Sequence, residues 1–429
     1  MQHLALPANQ SVNNLFGDEL ELESNGPIGL IVESLSPALG ERINHQLSLR
    51  RSLAAKRRPE LLDIPGYVRN EYRINVDLSR FSSGEGKAEL IDSVRGHDLF
   101  ILTDVLNYGA HYKRYGEDVS MGPDEHFLDL YRLILCARDS AKRIHVIMPY
   151  LYEGRRYHRT SRESLDCGAM LRALFQLGID NFITFDAHDA RVANAVPRSN
   201  FESFPTSYQS LRTLLRTVPD LKIDRDHIMV VSPDETSISR CIFYASAIRI
   251  PMGIFYKRRD FKYVGETTQM TEMRTYLGDS VEGKDIILLG DLLDSGNEFI
   301  ACAAALKSRG AARIFCIASF AQFTEGIGNM RQAWESGIIE RVFATDLAYR
   351  PPEVLSSPWY TDIPMADDLA LLISALNHDA SLSRLLAPAT RIDALLNEMG
   401  HNRRGDRDMQ NRQLSFNDVQ STSIPEEDE

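Results

Sequence analysis

The sequence predicts an α/β protein of two units, each a mainly parallel sheet flanked by helices, with flexible tails at both ends. Two observations carry this. First, short and nearly continuous apolar runs recur along the chain: Ile28 to Val32, Leu99 to Thr103, Ile144 to Met148, Phe182 to Phe185, Ile228 to Val231, Gly253 to Tyr256, Ile286 to Leu289, Ile314 to Ala318 and Val342 to Ala344. Runs without alternation suit strands covered on both faces, as in a parallel sheet. Second, amphipathic helical patterns separate them. In Ser161 to Leu177, for example, Leu165, Ala169, Leu171, Leu174 and Leu177 recur at roughly helical spacing. Strand alternating with helix means crossover connections.

Taken in order, residues 1–26 are polar, carry an acidic run from Gly17 to Glu23, and are expected to be a flexible tail. The first unit spans 27–200 and the second 201–350, with the polar, turn-rich zone from Pro197 to Ser207 expected to separate them. Residues 351–401 read as a helical extension, and 402–429, which end acidic, as a disordered tail.

Composition narrows the function classes. The chain has 429 residues, 43% hydrophobic and 25% charged, which is ordinary for a globular protein. Lys and Arg number 48 against 60 Asp and Glu, a formal net charge of -12. A general nucleic-acid coat needs clustered cations and is excluded as an expectation; one basic pocket for a phosphorylated small molecule is compatible. The five cysteines include no CxxC pair and lie in apolar stretches, so they read as small buried hydrophobes of a reducing compartment. The start of the chain lacks a basic region followed by an apolar core, and no apolar run approaches about 20 residues. A cytoplasmic protein without membrane contact is expected.

Chemistry concentrates at the strand ends, where parallel α/β sheets bind ligands. IMPYLYEGRRYHR, ITFDAHDAR, VVSPDETS, FYKRRDF and ILLGDLLDSGNE place Arg155, Arg156, Asp186, His188, Asp189, Asp234, Lys257, Arg258, Arg259, Asp291 and Asp294 there. Each has a plain structural explanation in isolation: Asp234 as a cap for the helix after it, His188 as a packed imidazole, the KRR run as a solvated face. Together they describe one crevice, with carboxylates and an imidazole for a hard cation and its water, and guanidiniums with a Lys for phosphates. This points to phosphate-transfer chemistry on a small molecule, without the GxxxxGK(S/T) or GxGxxG motifs of the common nucleotide folds.

From about residue 27 to 350 the chain resembles the ribose-phosphate pyrophosphokinases (phosphoribosyl pyrophosphate synthetases), in a long and divergent form. An ordered series carries the resemblance: FSSGE (Phe81 to Glu85), SVRGHDLFIL (Ser93 to Leu102), MPYLYEGRR followed by SRES, FDAHDARV, VVSPD with FYKRR, VEGKDIILLGDLLDSG, and ALKSRGAARIF. The resemblance implies two phosphoribosyltransferase-like domains and transfer of the pyrophosphoryl group of ATP to the anomeric hydroxyl of ribose 5-phosphate, giving phosphoribosyl pyrophosphate and AMP. It assigns Phe81 and Glu85 to adenine, Arg155 to the ATP phosphates, and His188, Asp186 and Asp234 to Mg. Lys257 and Arg259 would stabilise the transferring phosphates from a mobile loop. Asp291 and Asp294 would bind ribose hydroxyls, and the backbone N–H groups of Ser295, Gly296 and Asn297 the sugar phosphate, as helix N-termini hold anions. Ser93 and Arg95 match positions near a regulatory phosphate site. The family's ATP site lies at a subunit boundary, which implies a homo-oligomer.

The chain departs from the family's pattern at its ribose-phosphate loop. GDLLDSGNE stands for DDxxDTxGT, so Gly290 removes one carboxylate and Glu298 replaces a hydroxyl that would bond phosphate. A carboxylate facing a phosphate dianion is repulsive unless it turns outward or meets a cation. Glu298 is expected in the first turn of the following helix, pointing away from the ligand. Relative to the family, Tyr108 to Pro123 looks like an insertion. Two other functions stay open on these residues: a non-catalytic regulatory relative, and a pyrophosphokinase with a different ribose-phosphate acceptor.

Overall fold

A computed structural model describes residues 22–34, 37–159, 161–264 and 267–400, with backbone alone over 258–264 and 267–273. The expected tails, but for residues 22–26, fall outside the described residues.

The first sheet contains β1 (Ile28–Glu33), β4 (Asp98–Thr103), β7 (Arg143–Ile147), β8 (Asn181–Phe185) and β9 (Asn200–Phe204), all parallel in the order β1-β4-β7-β8-β9. All six residues of β4 are buried, which is why the strand reads as a nearly continuous apolar run. Helices α1 (Pro37–Arg57), α2 (Pro123–Ala137) and α3 (Asp166–Gln176) lie in its connections. Two antiparallel hairpins leave the sheet, β2 (Val76–Arg80) with β3 (Gly86–Leu90) and β5 (His111–Arg114) with β6 (Glu117–Ser120). The second hairpin forms the middle of the expected insertion.

The second sheet follows α4 (Ser207–Thr217) and has the order β12-β11-β10-β13-β14-β15-β16. Its strands are β10 (Ile228–Ser232), β11 (Met252–Val264), β12 (Thr267–Leu277), β13 (Asp285–Leu293), β14 (Ile314–Ala321), β15 (Arg341–Thr345) and β16 (Tyr360–Ile363), parallel except for the pairing of β11 with β12. Helices α5 (Ile238–Ile248), α6 (Asn297–Lys307), α7 (Gly328–Glu335) and α8 (Pro352–Leu355) connect them, and α9 (Ala366–Asn377), α10 (Ser383–Leu386) and α11 (Ala389–Glu398) follow.

Two segments differ from the expectation. The zone from Pro197 to Ser207 is not only a separator: it contains β9, the edge strand of the first sheet, anchored where Phe201 stacks on Phe182 and Phe204 packs by Phe185. The segment after residue 350 is not purely helical, because β16 completes the second sheet there. The units also share a core. Phe100 and Phe182 of the first sheet belong to the same buried cluster as Phe315 and Phe343 of the second, while Leu288, Phe299 and Cys302 belong to another. Helix α9 packs on α1. At the amino end of β4, the buried Asp98 accepts hydrogen bonds from both ends of the Arg143 guanidinium (2.8 Å each) and from Asn377 of α9 (2.8 Å), and lies 2.8 Å from His145 Nε2. Tyr349 N–H donates to Asp104 (2.6 Å) and Arg42 of α1 pairs with Asp346 (2.6 Å), so the segment after β15 is tied to the one after β4 and to α1.

Candidate active site at the carboxyl ends of both sheets

The carboxyl ends of β7, β8, β10 and β13 converge on one cleft of about 270 Å³, lined by Tyr150, Gly154 and Arg155, by Asp186 to His188, by Asp234 and Thr236, and by Asp291, Asp294 and Glu298. Parallel strands aim their carboxyl ends the same way, so side chains distant in sequence meet.

Asp186 takes a left-handed conformation (φ 41°), which Asp tolerates better than most residues. Its N–H donates to Phe204 (2.9 Å), and one carboxylate oxygen accepts from Thr206 N–H (3.2 Å), Thr206 Oγ1 (2.6 Å) and Ser319 Oγ (2.6 Å). The other lies 3.7 Å from Arg240 Nε of α5, and Arg240 Nη2 donates to the Asp186 carbonyl (3.2 Å). This carboxylate therefore ties β8 to the second sheet. Two residues on, His188 Nδ1 lies 2.6 Å from Asp291 Oδ2. Burial pushes the Asp291 carboxyl up, but the His188 hydrogen bond and the Arg240 charge outweigh it and hold the group at about 2. The same hydrogen bond raises the His188 imidazole, against burial, which lowers it. With its proton on Nδ1, His188 keeps Nε2 for another partner, the arrangement common among histidines that ligate metals.

Asp234 is a helix cap and a cleft residue at once. Its Oδ1 accepts from the N–H groups of Thr236 and Ser237 (3.0 Å each) and from Thr236 Oγ1 (2.7 Å), at the start of α5. Asp294 Oδ1 accepts from Thr324 Oγ1 (2.6 Å), and its Oδ2 lies 3.3 Å from Arg155 Nη2. Thus two groups assigned to different substrates touch. Between Asp294 and α6, Gly296 has φ 84° and a Cβ there would meet Met330 Sδ at 2.7 Å, so the turn requires glycine. Ser295 Oγ accepts from Asn297 N–H (3.4 Å), and the Asn297 amide bonds Glu325 (2.7 Å) and Asn329 (3.0 Å) rather than the cleft.

Glu298 does not point away from the cleft. It lines it, in the first turn of α6, with Oε1 paired to Lys257 Nζ of β11 and 3.2 Å from Arg274 Nη1 of β12. The outward orientation expected from helix-dipole arguments gives way to two cations that the β11–β12 hairpin brings over the helix start. The backbone N–H of Lys257 also donates to Glu235 (3.1 Å). The side chain of Arg259 lies outside the described residues.

Phe81 and Glu85 are exposed in the turn between β2 and β3 and do not line the cleft of their own chain. That turn is braced by the insertion, whose Tyr115 N–H donates to the Ser82 carbonyl (2.8 Å). Ser93 and Arg95 are exposed ahead of β4, at the amino end of that strand, away from the carboxyl ends that form the cleft. Gly290 has its own packing cause: a Cβ would meet Phe299 Cζ at 2.8 Å, and Phe299 is buried. We expect Gly290→Asp to lower stability by about 1–3 kcal/mol through overpacking, read as an earlier urea midpoint; an unchanged midpoint would show that Phe299 moves aside freely. Sequence reasoning missed Arg240, Arg274, Thr206 and Ser319. None stands in a motif, and only the fold brings them to these carboxylates.

Two tandem domains of this kind define a protein of the phosphoribosyltransferase type. Residues 29–178 match the family model of the N-terminal domain of ribose phosphate pyrophosphokinase, and 197–339 that of the phosphoribosyl transferase domain. The ribose-phosphate pyrophosphokinases of Vibrio cholerae serotype O1 and Chromobacterium violaceum are each 27% identical, over 72% of this chain and 90% and 86% of theirs. The crystal structure of phosphoribosylpyrophosphate synthetase from Mycobacterium smegmatis superposes with a TM-score of 0.62 at 20% identity, over 82% of this chain and all of that one. The chain belongs to the ribose-phosphate pyrophosphokinase family, a family of enzymes.

Proposed function

We propose that the protein transfers the pyrophosphoryl group of ATP to the anomeric hydroxyl of ribose 5-phosphate, releasing AMP and phosphoribosyl pyrophosphate. The observation that supports this is the single cleft in which the His188–Asp291 pair, Asp234, the Arg155–Asp294 pair and Glu298 meet, with Lys257 paired to Glu298. The sugar oxygen attacks the β-phosphorus, the bond from that phosphorus to the α-phosphate oxygen breaks, and the hydroxyl proton leaves to solvent. Little covalent work falls to the protein, so positioning and charge stabilisation dominate. Asp294 orients ribose hydroxyls, and the N–H groups of Ser295 and Gly296, with that of Asn297 once it leaves Ser295 Oγ, would hold the sugar phosphate. Arg155 offers its guanidinium to the ATP phosphates, and Lys257, with Arg259 two residues on, offers charge to the transferring group.

The donor set fits Mg. Among the described residues no three His, Cys, Asp or Glu side chains form a ready metal cluster, and Mg bound to a nucleotide needs only one or two protein ligands beside phosphates and water. His188 and Asp234 would hold it, with Asp186 behind them; bound there, it neutralises phosphate oxygens. Phe81 and Glu85 stand away from the cleft, so adenine recognition by these residues requires a second copy, and a homo-oligomer is part of this proposal. So is a cytoplasmic location; among the described residues no helix is long and apolar enough to cross a membrane.

The test is incubation with ATP, Mg and ribose 5-phosphate, following AMP. Release is expected only when all three are present, and His188→Ala is expected to raise the Mg concentration for half-maximal rate about tenfold. AMP release in full chelator, or release that depends on another sugar phosphate and not on ribose 5-phosphate, would overturn the assignment.

A further inference from the structure

Lys257 and Arg274 are direct register partners across the β11–β12 hairpin. Like charges set opposite one another on paired strands repel, so the pair requires an anion between them. Glu298 provides it: its Oε1 receives Lys257 Nζ and lies 3.2 Å from Arg274 Nη1, and its backbone carbonyl accepts from the same Arg274 nitrogen (3.4 Å). The three side chains are only 26%, 24% and 34% exposed, so water screens the contacts incompletely. Glu298 also lies directly after the N–H groups of Ser295 to Asn297 and lines the cleft. The first turn of α6 favours negative charge from any source. A carboxylate and a phosphate dianion therefore compete for the same field and for Arg274.

We propose that Glu298 is an anion gate for the sugar-phosphate subsite. Its carboxylate is the resident counter-ion of Lys257 and Arg274, and the acceptor's phosphate binds by displacing it. This rests on the cleft being a sugar-phosphate site. In the structure the carboxylate holds the hairpin cations over the start of α6. An arriving phosphate repels the carboxylate, takes over Arg274 and frees Lys257 for the transferring group, so phosphate binding and delivery of Lys257 to the substrates become one event. A neutral sugar has no charge with which to make that exchange. Glu298 thus lowers affinity for every anionic occupant and makes the subsite respond to the full phosphate dianion.

The experiment is calorimetric titration of ribose 5-phosphate, inorganic phosphate and ribose, each separately, into wild type, Glu298→Gln and Glu298→Thr, in the presence of Mg and a non-hydrolysable ATP analogue. Both variants are expected to bind ribose 5-phosphate and inorganic phosphate about tenfold more tightly than wild type, the scale of one charge-assisted contact, with ribose binding the same in all three. In turnover, KM for ribose 5-phosphate should fall in both variants by a similar factor. Equal or weaker phosphate binding in both variants, with wild type binding normally, would overturn the gate and leave the cleft assignment standing. No binding of ribose 5-phosphate by any of the three would overturn the cleft assignment and the gate with it.

Discussion

Lys257→Ala is expected to lower kcat roughly 10²–10³-fold, the usual loss when one preorganised charge at a reacting group is removed, with little change in KM for ATP or ribose 5-phosphate. The asymmetry follows from where Lys257 already sits. Its ammonium is paired with Glu298, so exchanging that carboxylate for a ground-state phosphate replaces one anion by another and gains little. The gain comes when charge builds on the transferring oxygens, and contacts stronger in the transition state than in the ground state raise kcat. Lys257 is also fixed from two directions, by Glu298 and by its own N–H on Glu235 at 3.1 Å, which limits the reorganisation needed during reaction. Steady-state kinetics in both substrates decides this. A pure KM effect would make Lys257 a ground-state phosphate binder, and unchanged kinetics would reduce it to a partner that neutralises Glu298.

Most of the strand framework was legible because burial on both faces leaves a signature in composition. β4 and β14 are buried along their whole lengths, and both stand out as nearly continuous apolar runs. β9 and β16 were not legible for the same reason in reverse. β9 is an edge strand whose NFESF holds two phenylalanines among three polar residues, and β16 has four residues and follows closely on Pro351, Pro352 and Pro358. At the site, acids and bases at strand ends were visible as candidates, since parallel topology sends them to one side. Their partners were not. Arg274 reaches Glu298 only because an antiparallel hairpin folds it back beside Lys257. Asp186 finds Ser319 across 133 residues of chain. Motif order locates a residue along the chain; the direction of its side chain depends on these distant contacts.

Asp186 presents the sharpest choice between two roles, and its removal should show which dominates. Its carboxylate accepts from Thr206 N–H, Thr206 Oγ1 and Ser319 Oγ, and faces Arg240, whose side chain is 14% exposed. Thr206 leads into α4, Ser319 lies in β14 and Arg240 in α5, so one carboxylate holds three elements at the back of the cleft. Asp186→Ala leaves two hydroxyls without their acceptor and deprives a largely buried guanidinium of one of the two carboxylates that face it. Breaking one partner out of such a group typically costs about 3–5 kcal/mol, and the left-handed backbone at φ 41° adds strain for Ala that Asp tolerates better. The first unfolding transition in urea is therefore expected to move to markedly lower denaturant. Asp186→Asn, which keeps one acceptor oxygen, should fall between the variant and wild type. The Mg concentration for half-maximal rate, measured on the folded fraction well below the transition, should change less than it does in His188→Ala, because the Asp186 oxygens are already engaged. An unfolding midpoint equal to wild type together with a large rise in the Mg requirement would reverse the assignment and make Asp186 a metal ligand first.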